Sequence, residues 1–113
     1  MKRILLLTAI LFSASSMADI TCYGTVKNVL QYGNGSINVY MSYRGDYTVM
    51  CNIETHWKGV NPEACQGMLS VLLTAQSTGK NIATYYNGDQ YTCANLPTYS
   101  ATPGPVYVGI IEK

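Results

Sequence analysis

The middle of the chain alternates between apolar and polar positions with the period of β-strands. Ile37, Val39 and Met41 are separated by single polar or amphipathic residues, which is the period-two pattern of a half-buried strand. Residues 21–31 and 47–53 are rich in β-branched and aromatic side chains and predict a strand on each side of it. Glycine-containing turn sequences separate the three segments, so we expect an antiparallel meander.

One later segment has the period of an amphipathic helix instead. Asn61 is a favourable N-cap residue, Pro62 suits the first helical position, and Gly79 suits a left-handed C-cap. Mostly apolar side chains fall on one arc of this helix. The arc consists of Cys65, Met68, Leu69, Leu72, Leu73, Ala75 and Gln76. We therefore predict a single helix that packs on the strands.

The opposite side of this helix is unusual because no residue from 64 to 79 is charged. Small residues form it, among them Gly67, Ser70 and Thr74. A helix face in free contact with water usually has charged side chains. We therefore predict that Gly67, Ser70 and Thr74 lie at an interface between subunits. The alternative is a helix half covered by loops of its own chain.

Two further strands are predicted after the helix, at residues 81–86 and 106–111. The expected fold class is mostly β with one helix, in the order βββ-α-ββ. This is the order of the five-stranded antiparallel barrel that binds oligonucleotides and oligosaccharides, the OB fold. Another small α+β sandwich is the alternative.

The first 18 residues have the features of a signal peptide. Lys2 and Arg3 precede an apolar run, and Ser16-Met17-Ala18 resembles a cleavage site. The run is too short to span a bilayer. We expect cleavage after Ala18 to leave a single domain, residues 19–113, that is secreted or periplasmic and is not inserted into a membrane.

Four cysteines remain in this domain: Cys22, Cys51, Cys65 and Cys93. An even number in a short exported chain predicts two disulfides, with three pairings possible. A zinc site is the competing interpretation, but the chain has no C-x-x-C spacing and His56 is the only histidine. We expect no metal and no cofactor.

Composition argues against several classes of function. Without Lys2 and Arg3 the chain has five basic and six acidic side chains, a net charge of −1. We therefore expect no binding of nucleic acid or of an anionic membrane surface. No nucleophile-elbow pattern is present, so we predict that the protein is not an enzyme. Ten tyrosines, and no phenylalanine except Phe12, favour binding through the surface.

Residues 51–86 resemble a known family. Cys51 at the end of the third strand is followed by Trp57, the helix, a Ser-Thr-Gly cap at 77–79 and a strand that ends in two tyrosines. This arrangement resembles the B subunits of the subtilase cytotoxin, pertussis and typhoid toxin group, and residues 107–110 are similar to that family's last strand. The resemblance implies a homopentameric ring that binds glycans on host cells and delivers a separate catalytic A subunit.

The resemblance also implies where a sugar binds. Tyr86 falls on the family's site tyrosine, while Tyr23 stands where the family has a serine that contacts sialic acid. A tyrosine ring can stack on the apolar face of a sugar, and its hydroxyl can hydrogen-bond the ring substituents. Arg44 could pair with a ligand carboxylate. We therefore predict Tyr86, Tyr23 and Arg44 as glycan-binding residues.

The disulfide pairing follows from a departure from the family. The family's second strand has a cysteine that pairs with the third-strand cysteine, whereas this chain has Val39, Tyr40 and Met41 there. The resemblance therefore leaves Cys51 to pair with Cys65 and Cys22 to pair with Cys93.

A second class of function stays open. On the same small barrel, the chain could be a secreted or periplasmic interaction protein, such as an inhibitor or an adhesion accessory, with no toxin partner.

Overall fold

The structure, a computed structural model, describes residues 18–112. They form six strands, one α-helix and one short 3-10 helix. In chain order the elements are β1 (Ile20–Gly24), β2 (Val26–Gln31), β3 (Ser36–Met41), β4 (Asp46–Asn52), α1 (Pro62–Thr78), β5 (Ile82–Tyr86), the 3-10 helix (Cys93–Asn95) and β6 (Tyr107–Ile110). The predicted signal peptide, apart from Ala18, lies outside the described residues. No helix in the described part is long and apolar enough to cross a membrane.

The six strands form two antiparallel sheets. One has the strand order β1-β5-β6 and the other β2-β3-β4. The prediction of a mostly β fold with one helix is confirmed. The sheets do not form the predicted closed barrel, because no ladder joins β4 to β6 among residues 18–112. The predicted first strand at 21–31 is two strands, β1 and β2, which belong to different sheets.

The chain changes sheets at Gly24 and Thr25. A Cβ atom at Gly24 would lie 2.4 Å from Ser42 Oγ and 3.1 Å from the Tyr43 amide nitrogen, so the close approach of these segments requires glycine. The Thr25 N–H donates to Ser42 Oγ at 2.8 Å, and the Ser42 N–H donates to the Thr25 carbonyl at 3.0 Å. These two bonds hold the bend from which β1 and β2 diverge.

The helix begins and ends as its sequence predicts. Asn61 is extended, and its side-chain oxygen accepts the Ala64 N–H at 2.8 Å. Gly79 has φ 70°, in the left-handed region, and its N–H donates to the Ala75 carbonyl at 2.9 Å. The N-cap alone stabilises such a helix by about 1 kcal/mol.

The inner side of α1 packs on both sheets, because the helix contacts β2, β4 and β6. Cys65, Leu72 and Ala75 are buried as predicted. Leu73 is not, since 47% of its surface is exposed. The Gln76 side chain donates to the Lys27 carbonyl at 3.0 Å and fixes the helix to β2.

The core between the two sheets and the helix is aliphatic and sulfur-rich. It consists of Val26, Ile37, Val39, Met41, Met50, Cys51, Val60, Cys65, Leu72, Ala75, Ile82 and Val108. A smaller buried cluster contains Cys22, Tyr86 and Leu96. Because strands of both sheets contribute to the first cluster, the sheets are held by one core although they are not closed into a barrel.

Both predicted disulfides are confirmed. Cys51–Cys65 joins the end of β4 to the first turn of α1, and Cys22–Cys93 joins β1 to the 3-10 helix. They close loops with sequence separations of 14 and 71 residues. On a chain-entropy model they stabilise the fold by on the order of 3 and 4–5 kcal/mol. Disulfides are typical of proteins outside the reducing cytosol.

The long loop between β5 and β6 is fixed by basic side chains as well as by its disulfide. Arg44 Nε donates to the Leu96 carbonyl at 2.6 Å. Lys58 Nζ donates to the carbonyls of Ser100 and Thr102, both at 2.7 Å. The loop is therefore held against the β3–β4 turn and the segment before α1.

We expect Gly24→Ala to lower the free energy of unfolding by about 1–3 kcal/mol, because overpacking at a close approach has that cost. The added methyl group would displace Ser42 Oγ, which accepts the Thr25 N–H. Gly33→Ala is the matched control, since a Cβ there meets no atom within 4 Å. Urea denaturation measures both variants. Equal stability of Gly24→Ala and wild type would contradict the close approach.

Candidate functional site

Tyrosines concentrate on the outer surface of the sheet β1-β5-β6. Two rows cross this sheet in register: Thr21–Tyr85–Tyr107 and Tyr23–Ala83–Gly109. Side chains two positions apart on a strand share a face, so both rows lie on the same side. We call these six residues the first tyrosine face: Thr21, Tyr23, Ala83, Tyr85, Tyr107 and Gly109.

The first tyrosine face combines aromatic rings with two residues, Ala83 and Gly109, that have almost no side chain. The rings of Tyr85 and Tyr107 are stacked, with centroids 5.2 Å apart and planes 9° apart. Tyr107 is 47% exposed and Tyr23 is 58% exposed. Between these rings the second row has only Ala83 and Gly109, and a Cβ on Gly109 would meet no atom within 4 Å. The shelf beside the exposed aromatic rings is therefore open at Gly109, whereas Ala83 is only 4% exposed.

A carboxylate lies at the edge of this shelf. The Tyr85 hydroxyl donates to one oxygen of Asp19, and the Gly88 N–H donates to the other at 2.9 Å. Both bonds lower the pKa of Asp19, the bond from Tyr85 more strongly. The same bond raises the pKa of Tyr85. Asp19 is thus an ionised acceptor held in a fixed position next to the stacked rings.

Tyr86, predicted as a sugar contact, is on the opposite side of the sheet. Ile82, Thr84 and Tyr86 alternate with Ala83 and Tyr85 along β5, and all three point to the core. Tyr86 is only 1% exposed, so its ring cannot stack on a sugar. The burial of Tyr86 argues against the predicted contact, and neighbouring strand residues face opposite sides. Tyr85 has the outward position.

The Tyr86 hydroxyl lies instead in a buried cluster of hydroxyl groups. Its members are Tyr43, Thr48, Thr84, Tyr86 and Thr102, which neighbour Tyr43 or Tyr86. None of these buried oxygens makes a hydrogen bond of good geometry. Burial raises the pKa of Tyr86, and the neighbouring Tyr43 raises it further. Burial also raises the pKa of Tyr43. The cluster keeps both phenols neutral inside the fold.

Of the other two predicted sugar contacts, the structure brings only Tyr23 to the first tyrosine face. Arg44 lies in the turn between β3 and β4, where its side chain is half-buried and holds the Leu96 carbonyl. We assign Arg44 to the anchoring of the β5–β6 loop and not to the tyrosine face.

The predicted interface residues lie on the exposed side of α1. Gly67, Ser70 and Thr74 are all exposed. Ser70 Oγ donates to the Gln66 carbonyl at 3.3 Å, and Thr74 Oγ1 donates to the Ser70 carbonyl at 2.8 Å. Because their hydroxyl hydrogens are used within the helix, these side chains present mainly carbon atoms and no charge to the outside.

A concave region at the start of α1 has a volume of about 330 Å³ and includes Lys58, Asn61, Ala64 and Gly104 in its lining. The Lys58 ammonium group is already bonded to two carbonyls of the β5–β6 loop. We assign no ligand to this region.

Sequence reasoning missed Tyr85, Tyr107 and Asp19 as members of one site. The sequence does contain a signal for Tyr85. The apolar Ile82 indicates that every second residue of β5 from Ile82 onward faces the core, and this alternation places Tyr85 on the outside. No local pattern pairs Tyr85 with Tyr107, since that contact depends on the register of β5 with β6.

Comparisons of the chain with protein-family models, curated proteins and solved structures give no match. Among the described residues, no group of three or more His, Cys, Asp or Glu side chains could hold a metal ion.

We expect stability to fall above about pH 10, where tyrosines of the unfolded chain ionise. Tyr86 has a raised pKa in the folded protein. Its contribution to the free energy of unfolding is fully present below about pH 10. That contribution is lost as pH rises, because only the unfolded state releases the proton. Between about pH 10 and about pH 11, the free energy of unfolding of wild type should fall by about 1 kcal/mol more than that of Tyr86→Phe.

Urea denaturation across this pH range measures the effect. Tyr91→Phe is the control, because Tyr91 is 37% exposed and does not belong to the buried hydroxyl cluster. An identical pH dependence for Tyr86→Phe and wild type would show that Tyr86 ionises normally in the folded state.

Proposed function

We propose that the chain is an exported glycan-binding subunit that assembles into a ring, similar to the B subunits of the subtilase cytotoxin, pertussis and typhoid toxin group. Its sugar site would be the first tyrosine face. The observation that supports this most directly is the stacked Tyr85–Tyr107 pair with the Asp19 carboxylate bonded to Tyr85.

This face has the two kinds of group that a sugar needs. The exposed ring of Tyr107 offers a flat apolar surface to the C–H face of a pyranose, and the phenols offer polar ends. Asp19 offers an ionised acceptor for sugar hydroxyls, and hydrogen bonds to a charged group are the stronger ones. Its position is fixed by Tyr85 and Gly88 before any ligand binds, which reduces the entropy cost of binding.

The charge of the face favours an uncharged sugar. Asp19 is held ionised, and none of the six residues of the first tyrosine face is basic. A sialic acid carboxylate would be repelled by Asp19 and would find no cationic partner on the face. We therefore propose a neutral host-cell glycan as ligand, in place of the sialic acid that the family resemblance implies.

The strand connections support a relation to the OB fold. The bent segment β1–β2 takes part in both sheets, and α1 packs on strands of both. We infer that the domain is an OB-like barrel left open between β4 and β6. In this arrangement the first tyrosine face is on the outside of the barrel wall, where a large glycan has access.

The exposed side of α1 supports assembly. Gly67 lowers helix stability by about 1 kcal/mol relative to alanine, yet a Cβ at this position would meet no atom of its own chain within 4 Å. The glycine is therefore not needed for packing within the subunit. We propose that it allows a neighbouring subunit to approach closely in a homopentamer, and that this ring delivers a separate catalytic subunit.

We expect Tyr107→Ala to weaken glycan binding at least about tenfold, which corresponds to about 1.4 kcal/mol. The substitution removes the more exposed ring of the stacked pair. A glycan array with neutral and sialylated glycans identifies the ligand, and calorimetry measures its affinity. Tyr91→Ala, on the β5–β6 loop, is the control.

Two outcomes would contradict the proposed site: wild-type protein that binds no glycan on the array, or Tyr107→Ala with wild-type affinity. If the mature chain is also a monomer, the alternative of a small interaction protein without a toxin partner is favoured.

We expect Gly67→Glu to convert the assembled protein into folded monomers. Glutamate is a better helix former than glycine, so the subunit itself should not lose stability. Its size and charge should prevent close approach of a neighbour. Native mass spectrometry measures the subunit number, with Gly33→Glu in the β2–β3 turn as control. A wild-type monomer, or an intact oligomer of Gly67→Glu, would refute the interface.

A further inference from the structure

The other sheet also has tyrosines on its outer surface. Tyr40 on β3 lies opposite Tyr47 on β4, and their rings meet edge to face, 5.3 Å apart with planes at 87°. Tyr47 in turn contacts Tyr99, with centroids 6.1 Å apart. Tyr32 follows β2. We call Tyr32, Tyr40, Tyr47 and Tyr99 the second tyrosine face.

Backbone contacts hold Tyr99 in this row although it belongs to the distant β5–β6 loop. Its N–H donates to the Tyr47 carbonyl at 2.8 Å, and its carbonyl accepts the Val49 N–H at 3.1 Å. Tyr99 also has φ 55°, a left-handed conformation that is uncommon for a residue with a side chain. The loop therefore positions the Tyr99 ring, which is 49% exposed, at the edge of β4.

Two side-chain amides orient the phenols of this face. Asn28 Nδ2 donates to the Tyr47 hydroxyl at 3.1 Å, and Asn38 Nδ2 donates to the Tyr32 hydroxyl at 3.0 Å. Each phenol oxygen thus accepts a hydrogen from the protein, and its own O–H hydrogen remains available to donate. The second tyrosine face therefore presents oriented hydrogen-bond donors between aromatic rings.

These hydrogen-bond donors determine which kind of ligand the second tyrosine face can bind. None of the four tyrosines or their two amide partners is charged, so the ligand should be uncharged, apolar and rich in acceptors. A polyproline II segment has these properties, because proline has a carbonyl acceptor but no N–H donor. It is also preformed, so little entropy is lost on binding, and aromatic surfaces are its usual receptors.

A sugar fits this face less well than a proline-rich segment. Each sugar hydroxyl also donates a hydrogen and requires an acceptor. The first tyrosine face has the Asp19 carboxylate for that purpose. The residues of the second tyrosine face include no carboxylate, and the Asn38 side chain beneath them is fully buried.

We propose that the second tyrosine face binds a proline-rich segment of a partner protein in the polyproline II conformation. The rings of Tyr40, Tyr47 and Tyr99 contact the proline rings, and the hydroxyls of Tyr32 and Tyr47 donate to the carbonyls of the segment. This site is separate from the first tyrosine face, because the two lie on the outer sides of different sheets.

Fluorescence anisotropy with a labelled oligoproline peptide tests the proposal on the full mature chain. We expect saturable binding, and no binding of a Gly-Ser peptide of the same length. Tyr47→Phe keeps the ring but removes one donor, and should weaken binding about fivefold, the effect of one net hydrogen bond. Tyr99→Ala should weaken it further, whereas Tyr107→Ala on the first tyrosine face should have no effect.

Circular dichroism shows whether Tyr47→Phe and Tyr99→Ala keep the wild-type fold. The proposal is overturned if wild-type protein does not bind oligoproline, or if both variants bind it with wild-type affinity. It is also overturned if neutral oligosaccharides bind in its place and lose affinity in these same variants, since the face would then be a sugar site.

Discussion

The change of sheets at Gly24 and Thr25 is the constraint on which the remaining structure depends. A continuous strand would place all its outward side chains on one surface. The bend, held by two hydrogen bonds between Thr25 and Ser42, instead sends β1 and β2 into separate sheets that share a core. Each sheet then has its own outer surface, and the helix fills the space between them. Two separate tyrosine faces on so small a domain are a consequence of this bend.

Most tyrosines lie on the outer surfaces of the domain and not in its core. The core is aliphatic, and the outer surfaces of the sheets hold Tyr23, Tyr32, Tyr40, Tyr47, Tyr85, Tyr99 and Tyr107. A ring with a polar tip suits a surface that is wet when free and covered when bound. Tyr91 lies on the β5–β6 loop and is also exposed. Tyr43 and Tyr86 are the exceptions, because their hydroxyls are buried next to each other. They give the interior a polar patch that depends on both phenols remaining neutral.

Local signals predict some elements well and others not at all. Asn61 and Gly79 determine the ends of α1, and their capping roles follow from residue type alone. The break at Gly24 was not predicted, because the composition on both sides favours strands equally and the reason for the break is Ser42 in a distant turn. The candidate site likewise has one part that local sequence patterns predict and one part that they do not. The outward position of Tyr85 follows from the alternation along β5, whereas the contacts of Tyr85 with Tyr107 and of Tyr99 with β4 are long-range and have no local pattern.

The anchoring of the β5–β6 loop by Arg44 and Lys58 has a consequence for cleavage by proteases. A trypsin-like protease must take a basic side chain into its specificity pocket before it can cut. Both side chains are already bound to loop carbonyls, so cleavage at either residue requires the loop to open first. The rate of digestion at these two sites is then set by the free energy of loop opening, provided that opening is fast relative to cleavage. The same two cations that order the loop are therefore themselves protected from proteolysis while the loop stays closed.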